Sequence, residues 1–177
     1  MRQARGKGPH INITQGEWAV SDVRGGMITT ILGSCVATCI WDPVRGVGGM
    51  NHILVARSHT ALGVNDYAGV NAMELLINGL VRLGAIRSRL NAKVFGGANM
   101  INGLSDIGHS NGIFVVEFLE REGIPLIGKS LGGTSARQIK FIVDEGRVMQ
   151  RTVAAAPEVV APPPKPEREE RNGVELF

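Results

Sequence analysis

The sequence predicts an α+β domain, with two packed mixed or antiparallel β-sheets and two main helices on the outside. Segments rich in β-branched residues, joined by short turns, recur at 28–53 and 137–153. Two stretches instead place apolar residues at helical three-and-four spacing. The 177 residues, 44% of them hydrophobic and only 5% aromatic, suffice for one domain with a mainly aliphatic core.

Short strands dominate the first part of the chain. Residues 11–23 alternate weakly around Gly16-Glu17, which predicts two short strands joined by a turn. Met27 to Leu32 predicts a further strand that ends at Gly33-Ser34. A longer strand at 36–41 and a returning strand at 47–55 complete this region.

Two amphipathic helices are expected later in the chain. The first runs from Asn65 to Leu83, with Asn65 or Asp66 as its cap and Gly84 beyond its end. The second begins at Ser110 or Asn111 and continues to about Glu122. Both apolar stripes indicate ordinary core packing.

The remaining strands flank the second helix. A strand is predicted from Asn91 to Phe95, directly before Gly96-Gly97. This glycine pair indicates close backbone packing rather than a phosphate site, because no phosphate-binding motif follows it. Pro125 to Ile127 is a short strand, and 137–153 forms a hairpin turning at Glu145-Gly146. The domain therefore spans 11–153, between a flexible N-terminus at 1–10 and a disordered tail rich in proline and charge at 154–177.

The central hairpin places a thiol near an imidazole. If Pro43 to Gly46 forms a four-residue loop, Ala37 faces His52 across the two strands. Cys35 lies two residues before Ala37 and shares its face. Diagonal cross-strand neighbours of this kind are about 7–8 Å apart at the backbone. The register therefore predicts that Cys35 and His52 project to the same side.

A thiol beside an imidazole suits nucleophilic catalysis, because the histidine accepts the proton that the sulfur must lose. The histidine needs a third group to orient it. Thr29 and Thr30 both have a suitable hydroxyl, but they point opposite ways on an extended chain, so one of them serves. The competing interpretation is that Cys35 is a small core residue and His52 a hydrogen-bonded core histidine.

Further motifs accompany this hairpin in a fixed order and resemble those of the CheD family of chemoreceptor glutamine deamidases. The matching segments are Leu32–Ala37, Trp41–Pro43, Val47–His52, Ala72–Asn78, Lys93–Ala98, Ile124-Pro125 and Leu131–Gly133. The resemblance covers about residues 11–153, and that many motifs in order make it specific.

This resemblance implies a catalytic set of Cys35 as nucleophile, His52 as base and Thr29 as the third member. Gly33 and Ser34 are expected as neighbours whose backbone amides hold an oxyanion. The implied fold is that of a toxin-deamidase-like cysteine hydrolase. The implied reaction converts receptor glutamine to glutamate with release of ammonia, and the same nucleophile suits a glutamyl methyl ester.

The implied partners are the cytoplasmic helical region of a chemoreceptor and a CheC-type phosphatase, and no cofactor is expected. A non-catalytic regulator that binds the phosphatase or the receptor is the alternative. A metal site formed by Cys35, Cys39 and His52 is disfavoured, since the cysteine spacing departs from zinc motifs and no second pair exists.

Composition argues against several other classes of protein. The net charge of +3 is unevenly placed, with a basic start and an acidic tail, but the domain between them carries only +2, too little for the clustered basic face of a nucleic-acid-binding protein. No apolar run approaches the roughly 20 residues that span a membrane, and no secretory signal is recognisable. Cys35 and Cys39 are about 13 Å apart along a strand, too far for a disulfide. We therefore expect a cytoplasmic protein with a reduced thiol.

Overall fold

The computed structural model describes residues 1–3, 10–55, 67–100 and 107–153. The first strands are β1 (Arg2–Gln3), β2 (His10–Asn12), β3 (Glu17–Ser21), β4 (Met27–Leu32), β5 (Val36–Asp42) and β6 (Val47–Ile53). Helix α1 (Tyr67–Arg82), a short 3₁₀ turn (Arg87–Arg89), β7 (Asn91–Gly96) and α2 (Ile107–Arg121) follow. The chain continues through β8 (Leu126–Leu131), β9 (Arg137–Ile142) and β10 (Arg147–Thr152).

The strands form two sheets, as the sequence predicted. A six-stranded sheet has the order β1-β3-β6-β5-β7-β8, and a four-stranded sheet has the order β10-β9-β4-β2. Both sheets are mixed, because β1 with β3, β7 with β8 and β2 with β4 are parallel while the other pairs are antiparallel. The predicted α+β class with two packed sheets and two helices is confirmed.

Strand β5 lies in the interior because both of its faces are covered. Val36 and Ile40 join an apolar cluster with the two helices. Ala37, Cys39 and Trp41, on the opposite face, join a second cluster with residues of the four-stranded sheet. Side chains alternate along a strand, so the apolar sequence of β5 supplies both layers of the core.

A buried carboxylate holds the turn between β5 and β6. Asp42 is fully buried, and its Oδ1 accepts the amides of Val44 and Arg45 at 2.9 and 3.0 Å. Its Oδ2 accepts the Ile86 amide at 2.9 Å and the Arg89 guanidinium. Burial alone would raise the pKa of Asp42, but these hydrogen bonds outweigh it and lower the pKa to about 2. The turn therefore keeps its geometry, and with it the hairpin register.

The helices agree with the predicted ones to within a few residues. The predicted caps Asn65 and Asp66 lie outside the described residues, as do the tail from 154 and most of the N-terminal segment. Helix α2 begins at Ile107, so Asn111 lies inside the helix rather than at its start. β8 extends to Leu131, four residues beyond the predicted end, because it pairs in parallel with β7.

The first residues of the chain form a short strand. Residues 2 and 3 pair with β3, and Arg2 forms an ion pair with Glu17, so this part of the predicted flexible N-terminus is a strand. In the described ranges, neither helix has the length and apolar character needed to cross a membrane.

Candidate active site

The register of the central hairpin brings the predicted thiol and imidazole to one face. Ala37 pairs with His52 in the β5–β6 ladder. Cys35, in the bend just before β5, belongs to the same apolar cluster as Ala37 and Met50. Met50 is two residues from His52 on β6, so His52 projects to that side as well. Both side chains are largely buried, with Cys35 7% and His52 6% exposed.

The bend that carries Cys35 is supported by backbone contacts from a neighbouring strand end. The Cys35 carbonyl accepts the Gly97 amide at 2.8 Å, and the Gly33 carbonyl accepts the Ala98 amide at 2.9 Å. Gly96 has φ of +111°, and a Cβ there would lie 2.2 Å from the Cys35 carbonyl oxygen. Only glycine permits this approach. The predicted role of Gly96-Gly97 in close backbone packing is confirmed.

A threonine hydroxyl fixes the orientation of the imidazole. Thr30 Oγ1 donates to the Ile13 carbonyl oxygen at 2.8 Å and lies 2.8 Å from His52 Nδ1. A hydroxyl has one proton, and the carbonyl oxygen can only accept it. Nδ1 must therefore carry the hydrogen that it donates to Thr30. The neutral ring then leaves Nε2 unprotonated, which is the tautomer required of a general base.

This geometry corrects the choice of threonine made from motif position. Thr29 projects to the opposite face of β4, where its hydroxyl donates to Asn12 Oδ1 at 3.1 Å. Thr30 is only 1% exposed and faces the space between the sheets. The alternation of a strand allows one of two adjacent residues to reach His52, and that residue is Thr30.

Burial keeps both groups of the pair neutral. It lowers the pKa of His52 from its ordinary 6.5 to about 4, and the nearby Glu17 carboxylate only partly opposes this shift. Burial also raises the pKa of the Cys35 thiol. At neutral pH the site therefore holds a thiol and an uncharged imidazole.

The Cys35 sulfur itself contacts a side chain that the sequence did not single out. Its thiol donates to Gln15 Oε1 at 3.6 Å, a long and weak contact. Among the described residues, Cys35 and His52 form no direct hydrogen bond. The two groups share one face of the hairpin.

A buried asparagine joins the two halves of the site. Asn111 is fully buried, its Nδ2 donates to the Ser34 carbonyl oxygen at 2.9 Å, and its Oδ1 accepts the Val55 amide at 2.8 Å. It therefore ties the bend before Cys35 to the chain just beyond the His52 strand. Sequence reasoning placed Asn111 at a helix start. Its position on the apolar stripe of α2, four residues before Val115, was the available signal.

A surface cavity lies elsewhere on the domain. It has a volume of about 550 Å³ between α2 and β8 and is lined by Gly112, Ile113 and Leu131, among others, but by neither Cys35 nor His52. In the part of the chain that the structure describes, no three His, Cys, Asp or Glu side chains cluster as metal ligands would. Cys39 is fully buried in the core, where burial raises its pKa.

Known proteins resemble this chain over most of its length. Residues 57–152 match the model of the family described as CheD chemotactic sensory transduction. A Ruegeria protein named probable chemoreceptor glutamine deamidase CheD 1 is 51% identical over 144 residues, covering 81% of this chain and 77% of the relative. A protein of Caulobacter strain K31, named probable chemoreceptor glutamine deamidase CheD, is 47% identical over 182 residues, covering 98% and 97%.

A solved structure is more distantly similar. The crystal structure of Bacillus licheniformis hypothetical protein YfiH aligns with a TM-score of 0.45 at 14% identity, over 64% of this chain and 49% of that one. This likeness is too weak to add to the argument. The family match and the high identity to relatives over nearly the whole chain decide the assignment: the chain belongs to the CheD family.

Proposed function

We propose that this protein deamidates glutamine side chains of a chemoreceptor, converting them to glutamate with release of ammonia. The observation that carries the proposal is the arrangement of Thr30, His52 and Cys35, in which the hydroxyl holds His52 Nδ1 and leaves Nε2 unprotonated, while Cys35 and His52 share one face of the hairpin. The names of the relatives support the substrate class.

In the proposed first step, the Cys35 sulfur attacks the Cδ carbon of the substrate glutamine while His52 Nε2 accepts the thiol proton. Transfer during attack suits this pair, because burial disfavours both a resting thiolate and a resting imidazolium. The negative charge develops on the substrate carbonyl oxygen. The amides of Ser34 and Cys35 have no hydrogen-bond acceptor among the described residues, which makes them the proposed oxyanion donors, with Gly33 beside them.

In the second step, the imidazolium gives its proton to the departing nitrogen. The carbon–nitrogen bond breaks, ammonia leaves, and a thioester to Cys35 remains. His52 then takes a proton from water, whose oxygen attacks the thioester carbon to give glutamate and the free thiol. No step requires a metal or an organic cofactor. A glutamyl methyl ester would follow the same course, with methanol as the leaving group, so we include methyl-ester hydrolysis as a side activity.

The proposed partner is the cytoplasmic helical region of a chemoreceptor, and the proposed setting is the cytoplasm. A CheC-type phosphatase is a second proposed partner. The alternative of a non-catalytic regulator needs neither the Thr30–His52 hydrogen bond nor the shared face of Cys35 and His52. Turnover of a receptor fragment distinguishes the two.

Ammonia release from a purified receptor fragment, together with the mass of its glutamine-containing peptides, tests the proposal. Cys35→Ala should abolish both the ammonia and the amide-to-acid mass change, since the nucleophile is lost. Cys39→Ala is the matched control, because Cys39 is a free cysteine of the same strand region that faces the core. Deamidation that persists at the wild-type rate in Cys35→Ala would overturn the assignment.

A further inference from the structure

The chain presents a glutamine side chain of its own to the Cys35 thiol. Gln15 Oε1 lies 3.6 Å from Cys35 Sγ, and it is the polar side-chain contact of that sulfur in the described residues. The proposed substrate group is the same carboxamide. A resident carboxamide therefore lies beside the sulfur at the place where chemistry is proposed.

The turn that carries Gln15 is held firmly in place. The Glu17 amide donates to the Thr14 carbonyl at 3.0 Å, and Gly16 has φ of +79°, so residues 14–17 form a tight turn with Gln15 at its second position. Glu17 Oε2 accepts both the amide and the hydroxyl of Thr14 at 3.0 Å. The side-chain hydrogen bond from Arg2, then those from Thr14, lower the pKa of Glu17 to about 2, so the carboxylate keeps these bonds at all physiological pH values.

The same turn is also hydrogen-bonded to β6, the strand that carries His52. The Gly16 amide donates to the His52 carbonyl oxygen at 2.9 Å, and the Ile13 carbonyl receives the Thr30 hydroxyl that orients His52. The backbone around Gln15 is thus fixed relative to His52. The Gln15 side chain, in contrast, is exposed, and within the described ranges its one hydrogen bond is the long one from the Cys35 thiol. It can leave by rotation about its own bonds while the turn stays in place.

We propose that the Gln15 carboxamide occupies, in the resting protein, the subsite for the substrate's carboxamide, and that a substrate glutamine displaces it. This inference rests on the proposed deamidation. Gln15 then limits access to a sulfur that is only 7% exposed. It acts as an internal competitor: it raises KM and protects the thiol, and it takes no part in the chemical steps.

Alkylation of Cys35 by iodoacetamide tests access without any receptor. Gln15→Ala should be alkylated roughly two- to tenfold faster than wild type, the factor expected from loss of one weak hydrogen bond that covers the sulfur. Gln15→Asn, which withdraws the same carboxamide by one methylene, should give an intermediate rate. Gln150→Ala, at an exposed glutamine of β10, is the matched control and should leave the rate unchanged. Peptide mass spectrometry separates Cys35 from the fully buried Cys39.

Steady-state ammonia release supplies the second measurement. Gln15→Ala should lower KM for the receptor fragment by a similar factor and leave kcat within twofold of wild type. Unchanged alkylation in a folded Gln15→Ala protein would overturn the inference, and so would a lower kcat at unchanged KM, which would assign Gln15 to the chemistry instead. Absence of ammonia release from wild type would overturn the proposed function, whereas the alkylation rates would still decide whether Gln15 covers the sulfur.

Discussion

Replacement of Thr30 by valine removes one hydroxyl from the candidate site and nearly preserves its shape. The Ile13 carbonyl and His52 Nδ1–H then lose their partner at a position that is 1% exposed. An unsatisfied buried polar group typically costs about 1–3 kcal/mol. Because two such groups are left without a partner, we expect Thr30→Val to lower the free energy of unfolding by about 2–5 kcal/mol, as measured by urea denaturation.

The effect on rate should be larger than the effect on substrate binding. Without Thr30, the imidazole is free to rotate and to place its proton on Nε2, where it cannot accept a proton from the thiol. The loss in kcat should therefore exceed about tenfold, up to the roughly 10²–10⁴-fold that general acid–base catalysis contributes. Ammonia release from a receptor fragment measures kcat and KM separately, and KM should change little.

Two matched variants isolate the hydroxyl. Thr30→Ser keeps the oxygen and should retain a kcat close to that of wild type. Thr29→Val loses only the exposed bond to Asn12, so its stability should stay within about 0.5 kcal/mol of wild type and its kcat within twofold. The reasoning is refuted if Thr29→Val lowers kcat as far as Thr30→Val does, or if Thr30→Val turns over at the wild-type rate.

Two further predictions concern the support and the protonation of the site. Asn111→Ala leaves the Ser34 carbonyl and the Val55 amide without their partner. It should therefore lower the free energy of unfolding, measured by urea denaturation, by about 2–5 kcal/mol and reduce kcat. The control Asn78→Ala, on the exposed face of α1, should change neither quantity. Equal stability of the two variants would contradict the bridging role of Asn111. The His52 pKa of about 4 in the folded protein lies below its unfolded value of 6.5, so the unfolded chain binds more protons between these two pH values. The free energy of unfolding should therefore fall by up to about 3 kcal/mol as the pH falls through that window. Urea denaturation of wild type and His52→Gln at several pH values from 7 to 4 measures this loss. The stability of His52→Gln should fall less steeply, and an identical pH dependence of the two proteins would contradict the low pKa of His52.

Much of the fold could be predicted because its signals are local. The Pro43–Gly46 turn and the β-branched segments beside it determine the pairing of Ala37 with His52. Period-two alternation then places Cys35 and His52 on one face without knowledge of any distant element. Several of the family motifs lie in these same segments, which explains why they pointed to Cys35 and His52 as the proposed nucleophile and base.

The rest depended on contacts between residues far apart in sequence. Which threonine reaches His52 depends on the face that β4 turns toward the six-stranded sheet, and β4 belongs to the other sheet. Asn111 reaches Ser34 across 77 positions, and Gln15 reaches Cys35 across 20. A turn or an alternating strand is specified by neighbouring residues, whereas these hydrogen bonds exist only after the layers have packed. By itself, the sequence determined the hairpin, its register and the placement of Cys35 and His52 on one face; tertiary packing decided which hydroxyl contacts the histidine, what supports the bend and which side chain contacts the sulfur.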